Sequence, residues 1–207
     1  MRFDRRGFLG LTGLPVLLVA ALGLTPMQSH ALSDSEASDY VRTTIDEVLA
    51  LVESAGDSAS KATRLRSIME QRAAMDQIAR FAAGTAWKDM NPDQQARFTG
   101  AFGKYLSVIY AARFQEYAGA PGSADPYEMA GVIDAGRKGL VVKTLIRRPG
   151  EAPVNVDWLV TDRPGRVVIA DIVIEGVSML VTQREEIGGM LEARSGDLEK
   201  LIADLDS

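Results

Sequence analysis

Residues Val167–Leu191 read VVIADIVIEGVSMLVTQREEIGGML, and this stretch decides the fold. Its first half alternates. Val168, Ala170, Ile172 and Ile174 share one side and Val167, Ile169, Asp171 and Glu175 the other, the period-two pattern of a strand with one strongly apolar face. Gly176 breaks the pattern, and Ser178–Glu185 is expected to start a helix. Thr182 and Glu185 stand at capping-box spacing (T-x-x-E), which lets each side chain satisfy a backbone donor orphaned at a helix start. The apolar face of such a strand must be covered, and the helix after it is placed to cover one end of the sheet.

Moving outward, three more strand candidates precede it: Tyr127–Asp134, Gly139–Arg147 and Val154–Thr161, with the last strand taken as Arg166–Glu175. The connections are short and rich in Gly, Pro and Asp, so neighbours run antiparallel and a four-stranded meander is expected. Val154, Val156, Trp158 and Val160 share one face of the third strand. Before the strands the apolar period is 3.6. Ser33–Ser54 carries the stripe Val41, Ile45, Val48, Leu49 and Val52, with Asp34, Glu36 and Asp39 near its start. Ala59–Met75 and Asp76–Ala83 are two further helices, Gly84 ends the second, and Trp87 is expected to dock into the core. Asn91-Pro92-Asp93 is a strong helix start, and the helix it opens can run to Tyr117. That helix holds Phe98, Phe102, Tyr105, Tyr110, Phe114 and Tyr117, a band that suits a core or the wall of an apolar cavity. Thr182–Leu191 and Gly196–Leu205 close the chain as two short helices. Helices followed by a run of strands make an α+β domain: N-terminal helices on one face of a curved four-stranded antiparallel sheet, with C-terminal helices, enclosing an apolar cavity.

The first 31 residues read as an export signal. Arg5-Arg6 forms a twin-arginine motif, with Asp4 and Gly10 departing from its usual flanks. The apolar segment Leu9–Leu24 is short for a membrane span and is interrupted by Pro15 and Gly23. Ser29-His30-Ala31 offers a cleavage site after Ala31, leaving 32–207 as one domain; an uncleaved anchor is the other reading. Cleavage takes the formal charge from −5 to −7 and removes the only histidine, and there is no cysteine. A Ser-His-Asp triad, a thiol nucleophile and a His/Cys zinc site are then excluded, and no cofactor or metal is expected. An acidic chain without a long basic block argues against nucleic acid. The basic face Lys61, Arg64, Arg66 and Arg72 reads as a solvated surface or a headgroup contact, and Asp197, Glu199, Asp204 and Asp206 as a solvated acidic face or a calcium site.

Two segments resemble the MlaC family, also called the toluene-tolerance family, of periplasmic phospholipid-binding proteins. One is Met75–Tyr117, with I-A-R-F-A-A-G-T-A-W-K, then P-D-Q-Q-A-R-F, A-F and Y-L. The other is Val156-Asp157-Trp158 followed by D-I-V-I-E-G-V-S (Asp171–Ser178) and Arg184. The chain departs from the family pattern at Thr182-Gln183-Arg184, where an aromatic often precedes the arginine, and in its twin-arginine signal. The resemblance implies a monomeric carrier that holds a phospholipid by its tails. It would move lipid between an outer-membrane lipoprotein complex and an inner-membrane ABC transporter complex with an MCE-type protein, maintaining outer-membrane asymmetry. Tails need apolar walls on both sides. Strand parity puts Val142, Ile146, Val156, Trp158, Ile172 and Ile174 on the sheet wall, and helical phase puts Phe102, Tyr105 and Ile109 on the helix wall. Arg184, in the first turns of its helix, is expected to pair with Asp171 or Glu175. Three alternatives stand beside the phospholipid carrier: an enzyme using Asp171 or Asp157 as a buried base, an interaction module with a filled core, and a carrier of an isoprenoid or polycyclic lipid.

Overall fold

The computed structural model describes residues 32–117, 125–147, 150–163 and 165–207. The expected export signal with its expected cleavage site and His30 lie outside the described residues, as does the side chain of Tyr117.

Helices α1 (Asp34–Glu53), α2 (Ser58–Arg72), α3 (Met75–Ala83) and α4 (Pro92–Tyr117) come first, with a 3-10 turn at Gly84–Lys88. The starts of α1, α2 and α4 are written in capping residues, whereas α3 begins after Ala74 with no side-chain cap. The Ser33 side chain accepts from the Glu36 backbone N–H while the Glu36 carboxylate accepts from that of Ser33, a reciprocal capping box. Asp57 caps α2 by accepting from Ser60 N at 2.8 Å. Asn91 Oδ1 accepts from Gln94 N at 2.9 Å and Gln94 Oε1 from Asn91 N at 3.0 Å, which fixes the start of α4 where Asn-Pro predicted it.

The sheet follows in the order β1 (Tyr127–Asp134), β2 (Leu140–Ile146), β3 (Val154–Arg163), β4 (Arg166–Ile174) and β5 (Val177–Ser178), every pair antiparallel. The expected meander is present, extended by a two-residue fifth strand. Glu175 and Gly176 both have positive φ, 48° and 82°, forming the tight turn whose twist suits a hairpin, so Ile174 pairs with Val177. This hairpin moves the helix start. The N-cap of α5 (Met179–Glu192) is Ser178, which accepts from Val181 N at 3.1 Å. Thr182 caps nothing; it lies one turn in, its hydroxyl donating to the Ser178 carbonyl. Helix α6 (Leu198–Leu205) ends the chain.

The strict alternation expected of β4 is also broken. Leu159 pairs with Asp171 and Val160 with Ile169, leaving Ala170 as a bulge. Past it the phase flips, so Ile169, not Val168, joins Ile172 and Ile174 on the apolar face. Val168, opposite Thr161, points the other way and is fully buried there, beside the α2–α3 connection, where Ala74 N donates to the Ile169 carbonyl at 2.9 Å.

Ala37, Val41 and Ile45 of α1 seat directly on the apolar sheet face against Val142, Val156, Trp158 and Val160. A second core joins α3, α4, α5 and α6 around Phe98, Phe102, Leu106, Ile187 and Leu201. A third joins α1, α2 and α4 through Leu51, Leu65 and Ala111.

Candidate functional site

The residues expected to wall one cavity divide into two groups. Phe102 and Val142 are 0% exposed, and Val156 and Trp158 are nearly as buried. Phe102 stacks on Phe98 at 5.7 Å in the helical core, and Phe98 meets the edge of Trp87, docked there as expected. Val142, Val156 and Trp158 belong to the sheet core, where Trp158 Nε1 donates to Thr144 Oγ1 at 3.0 Å and that hydroxyl donates to the Val156 carbonyl. Phe102 therefore does not face Val142 across a common cavity. The reason is α1: its apolar stripe takes the centre of the sheet face, and the first half of α4 turns to α3, α5 and α6 instead. By contrast Tyr105, Ile109, Ile146, Ile172 and Ile174 are only half-buried.

Ile146, Ile172 and Ile174 pack at the margin of the sheet core, Tyr105 at the margin of the helical core, and Ile109 in none of the three cores. Helix α1 serves both sides, with Leu49 packing toward the sheet and Val48 toward α4. Ile172 and Ile174 bring the end of β4 to it, and Tyr110 and Phe114 bring the second half of α4. The α5 side is set by Asp171. Its carboxylate accepts from Ile172 N, from Leu180 N at 3.0 Å and from Ser178 Oγ at 2.6 Å, clamping the start of α5 to β4. Met179 then meets Tyr110, whose hydroxyl donates to its sulfur at 3.6 Å.

A polar seam runs outward from that contact between α4 and α5. Tyr105 Oη donates to Glu186 Oε1 at 2.6 Å. Gln183 Nε2 donates to Glu186 Oε2 at 3.1 Å and to Tyr110 Oη at 3.4 Å. Gln183 is 5% exposed, and its Oε1 is buried with no hydrogen-bond partner. Burial raises the pKa of both tyrosines, and the Glu186 carboxylate raises that of Tyr105 further. The Arg113 guanidinium lies 5.6 Å from the centre of the Tyr110 ring. Of these seam residues the sequence pointed only to the tyrosines, both as members of the aromatic band and Tyr105 also as part of the helix wall; the one signal for Gln183 was its place where the family often has an aromatic.

The remaining candidates resolve otherwise. Arg184 does not pair with a strand carboxylate. It crosses to the end of α3, donating to the Phe81 carbonyl at 3.2 Å and lying over the Phe81 ring, while Glu175 takes Asn155 and Asp171 caps α5. The terminal carbonyls of α3, with the negative end of its dipole, are what hold the cation. Gly84, at φ +61°, makes room: a Cβ there would meet the guanidinium at 3.2 Å. Beside Arg184 lies an open hollow of about 360 Å³ bordered by Ala83, Thr85, Ala86, Gly188 and Leu191. Asp157 faces away from the apolar side and pairs with Lys143 at 2.7 Å. Neither aspartate stands in an apolar pocket as a free base. On α2, Arg72 pairs with Glu47, Arg66 with Glu70 and Lys61 with the Val52 carbonyl. On the acidic face, Glu199 pairs with Arg97, Asp204 with Arg194 and Asp206 with Lys104. Among the described residues no group of three or more His, Cys, Asp or Glu is placed to hold a metal ion, and no helix is long and apolar enough to cross a membrane.

Residues 42–207 match the family model described as MlaC protein. The chain belongs to the MlaC family. A solved structure of a phospholipid-binding protein from Ralstonia solanacearum, in complex with a phospholipid, superposes with a TM-score of 0.64 at 23% identity, covering 83% of this chain and 99% of that one. At that identity the likeness speaks for the fold: among the described residues, six α-helices and an open five-stranded antiparallel sheet are the MlaC architecture here.

Proposed function

We propose that this MlaC-family protein is a periplasmic phospholipid carrier whose acyl tails enter at the half-buried rim between α1, the end of β4, the second half of α4 and the start of α5. The observation that carries the reading is the half-exposed apolar side chains of the sheet and of α4, beside cores that are buried. The phospholipid held by the structural neighbour supports it, and family and neighbour together suggest a binding or carrier protein rather than an enzyme. Tyr105, Ile109, Ile146, Ile172 and Ile174 are the first contacts for the tails. Val142, Val156 and Trp158, which α1 covers, come into reach only where α1 gives way, and Phe102 stays in the core of α3, α4, α5 and α6.

Energetics set the mode of action. Each buried methylene contributes about 0.8 kcal/mol, so two long tails amount to more than about 20 kcal/mol against water, near the ceiling of noncovalent affinity. Release into water is negligible, whereas exchange with another apolar environment is nearly neutral. The carrier therefore docks on donor and acceptor: an inner-membrane ABC transporter complex with an MCE-type protein and an outer-membrane lipoprotein complex, maintaining outer-membrane asymmetry. Residues 1–31 serve as a twin-arginine signal removed on export.

Organic extraction of protein purified without detergent, followed by mass spectrometry, tests the central claim. About one phospholipid per chain is expected. Protein that is lipid-free and takes up none from phospholipid vesicles refutes it, and an isoprenoid or polycyclic lipid in the extract replaces the ligand class.

A further inference from the structure

The polar seam between α4 and α5 has more hydrogen-bonding capacity than the fold uses. The Glu186 carboxylate accepts only, so the Gln183 amide must present its nitrogen to it, and this fixes Oε1 as the group without a partner. Tyr110 spends its proton on a thioether, a weak acceptor. A buried amide oxygen left unpaired is costly, and a tyrosine proton is held far better by an oxyanion than by sulfur. One side of the seam thus offers acceptors, Gln183 Oε1 and Glu186. The other offers Tyr110 O–H and the Arg113 cation above its ring. Acceptors with a negative charge beside donors with a positive one form the complement of a zwitterion.

Resting on the carrier reading above, we infer that this seam is a headgroup site selecting phospholipids whose headgroup carries a primary ammonium. The phosphate lies toward Tyr110 and Arg113, and the ammonium N–H groups are taken by Gln183 Oε1 and Glu186. A choline headgroup has the same charge but no N–H to give, so it leaves Gln183 Oε1 unpaired. A glycerol headgroup has hydroxyl donors but makes the lipid anionic, which Glu186 opposes.

The test is competition at constant tails. Purified protein is incubated with excess vesicles holding equal amounts of phosphatidylethanolamine, phosphatidylcholine and phosphatidylglycerol with identical acyl chains, recovered, and its lipid quantified by mass spectrometry. The ethanolamine lipid should be enriched about tenfold over the choline lipid, equivalent to about 1.4 kcal/mol. Glu186→Gln and Gln183→Met should lower that ratio toward one. Should Gln183→Met fail to fold, the near-isosteric, exposed Glu186→Gln carries the test alone. Uptake in the vesicle ratio, preference for the glycerol lipid, or a preference untouched by Glu186→Gln overturns the headgroup site and leaves the carrier intact. No uptake of any lipid overturns the carrier reading itself.

Discussion

Phe102→Ala separates a filled core from a lipid wall. The ring is 0% exposed and stacks on Phe98 at 5.7 Å with an interplanar angle of 7°. Truncating such a phenylalanine costs about 3–5 kcal/mol through lost transfer energy and the cavity left behind. The stacked partner places this site in the middle of that range or above, since aromatic pairs add about 0.5–1.5 kcal/mol beyond their area. For a domain of this size 1 kcal/mol moves Tm by about 2–4 °C, so a fall of roughly 8–16 °C is expected in a calorimetric melt. Lipid per folded chain should not change, because the ring touches core rather than tail. Ile109→Ala, about two turns further along the same helix and half-buried, should do the opposite, with a small change in Tm and less lipid retained. A Phe102→Ala protein that melts like the parent yet has lost its lipid would show that α4 lines the ligand cavity along its whole length, and the two-core description would be wrong.

Arg184→Ala loses a charge-assisted hydrogen bond to the Phe81 carbonyl and a ring contact on an exposed surface, about 1–2 kcal/mol together, and should lower Tm by about 2–8 °C; no change would mean that the end of α3 does not need the cation. Glu199 is held at about 2, below its ordinary 4.5, by hydrogen bonds from Arg97 and Gln94. A carboxyl so depressed stabilises the fold above its unfolded value and stops doing so as pH falls through the folded one. The gap in Tm between the parent and Glu199→Gln should accordingly be present at pH 7 and close between about pH 5 and 2; a gap that persists at pH 2 would refute the α4–α6 clamp. Changing Arg5 and Arg6 to lysine should leave unprocessed precursor in the cytoplasm, and normal processing of that variant would remove the twin-arginine reading.

Most of the architecture was legible because local rules dominated it. Asn91-Pro92 fixes the start of α4, Gly84 ends α3, and short Gly- and Pro-containing turns leave the strands no choice but to meander. What escaped depended on tertiary context. The bulge at Ala170 shifts β4 by one residue, and period-two counting cannot register an unpaired residue. Ser178 and Thr182 are both competent caps, and only the β4–β5 hairpin makes the earlier one the helix start. The candidate site was half legible. Strand parity correctly gathered Val142, Val156, Trp158, Ile172 and Ile174 on one face, but not which helix would cover each of them. Arg184 was misassigned because its partner, the Phe81 carbonyl, is a backbone atom and leaves no mark in composition. Gln183 was passed over since a lone amide on a helix is ordinarily solvent-facing.

The junction between β4 and α5 leaves the chain no slack. From Asp171 to Leu180 the backbone leaves the strand, reverses through two left-handed residues, pairs again and returns to hydrogen-bond the carboxylate it started from. An inserted residue anywhere in that loop would have to undo the turn, the Ser178 cap or the Asp171 clamp, and would carry α5 about 100° around its axis relative to the sheet. Loop length is thus fixed here to the single residue, and homologues or designed variants that keep this junction should differ in length elsewhere in the chain.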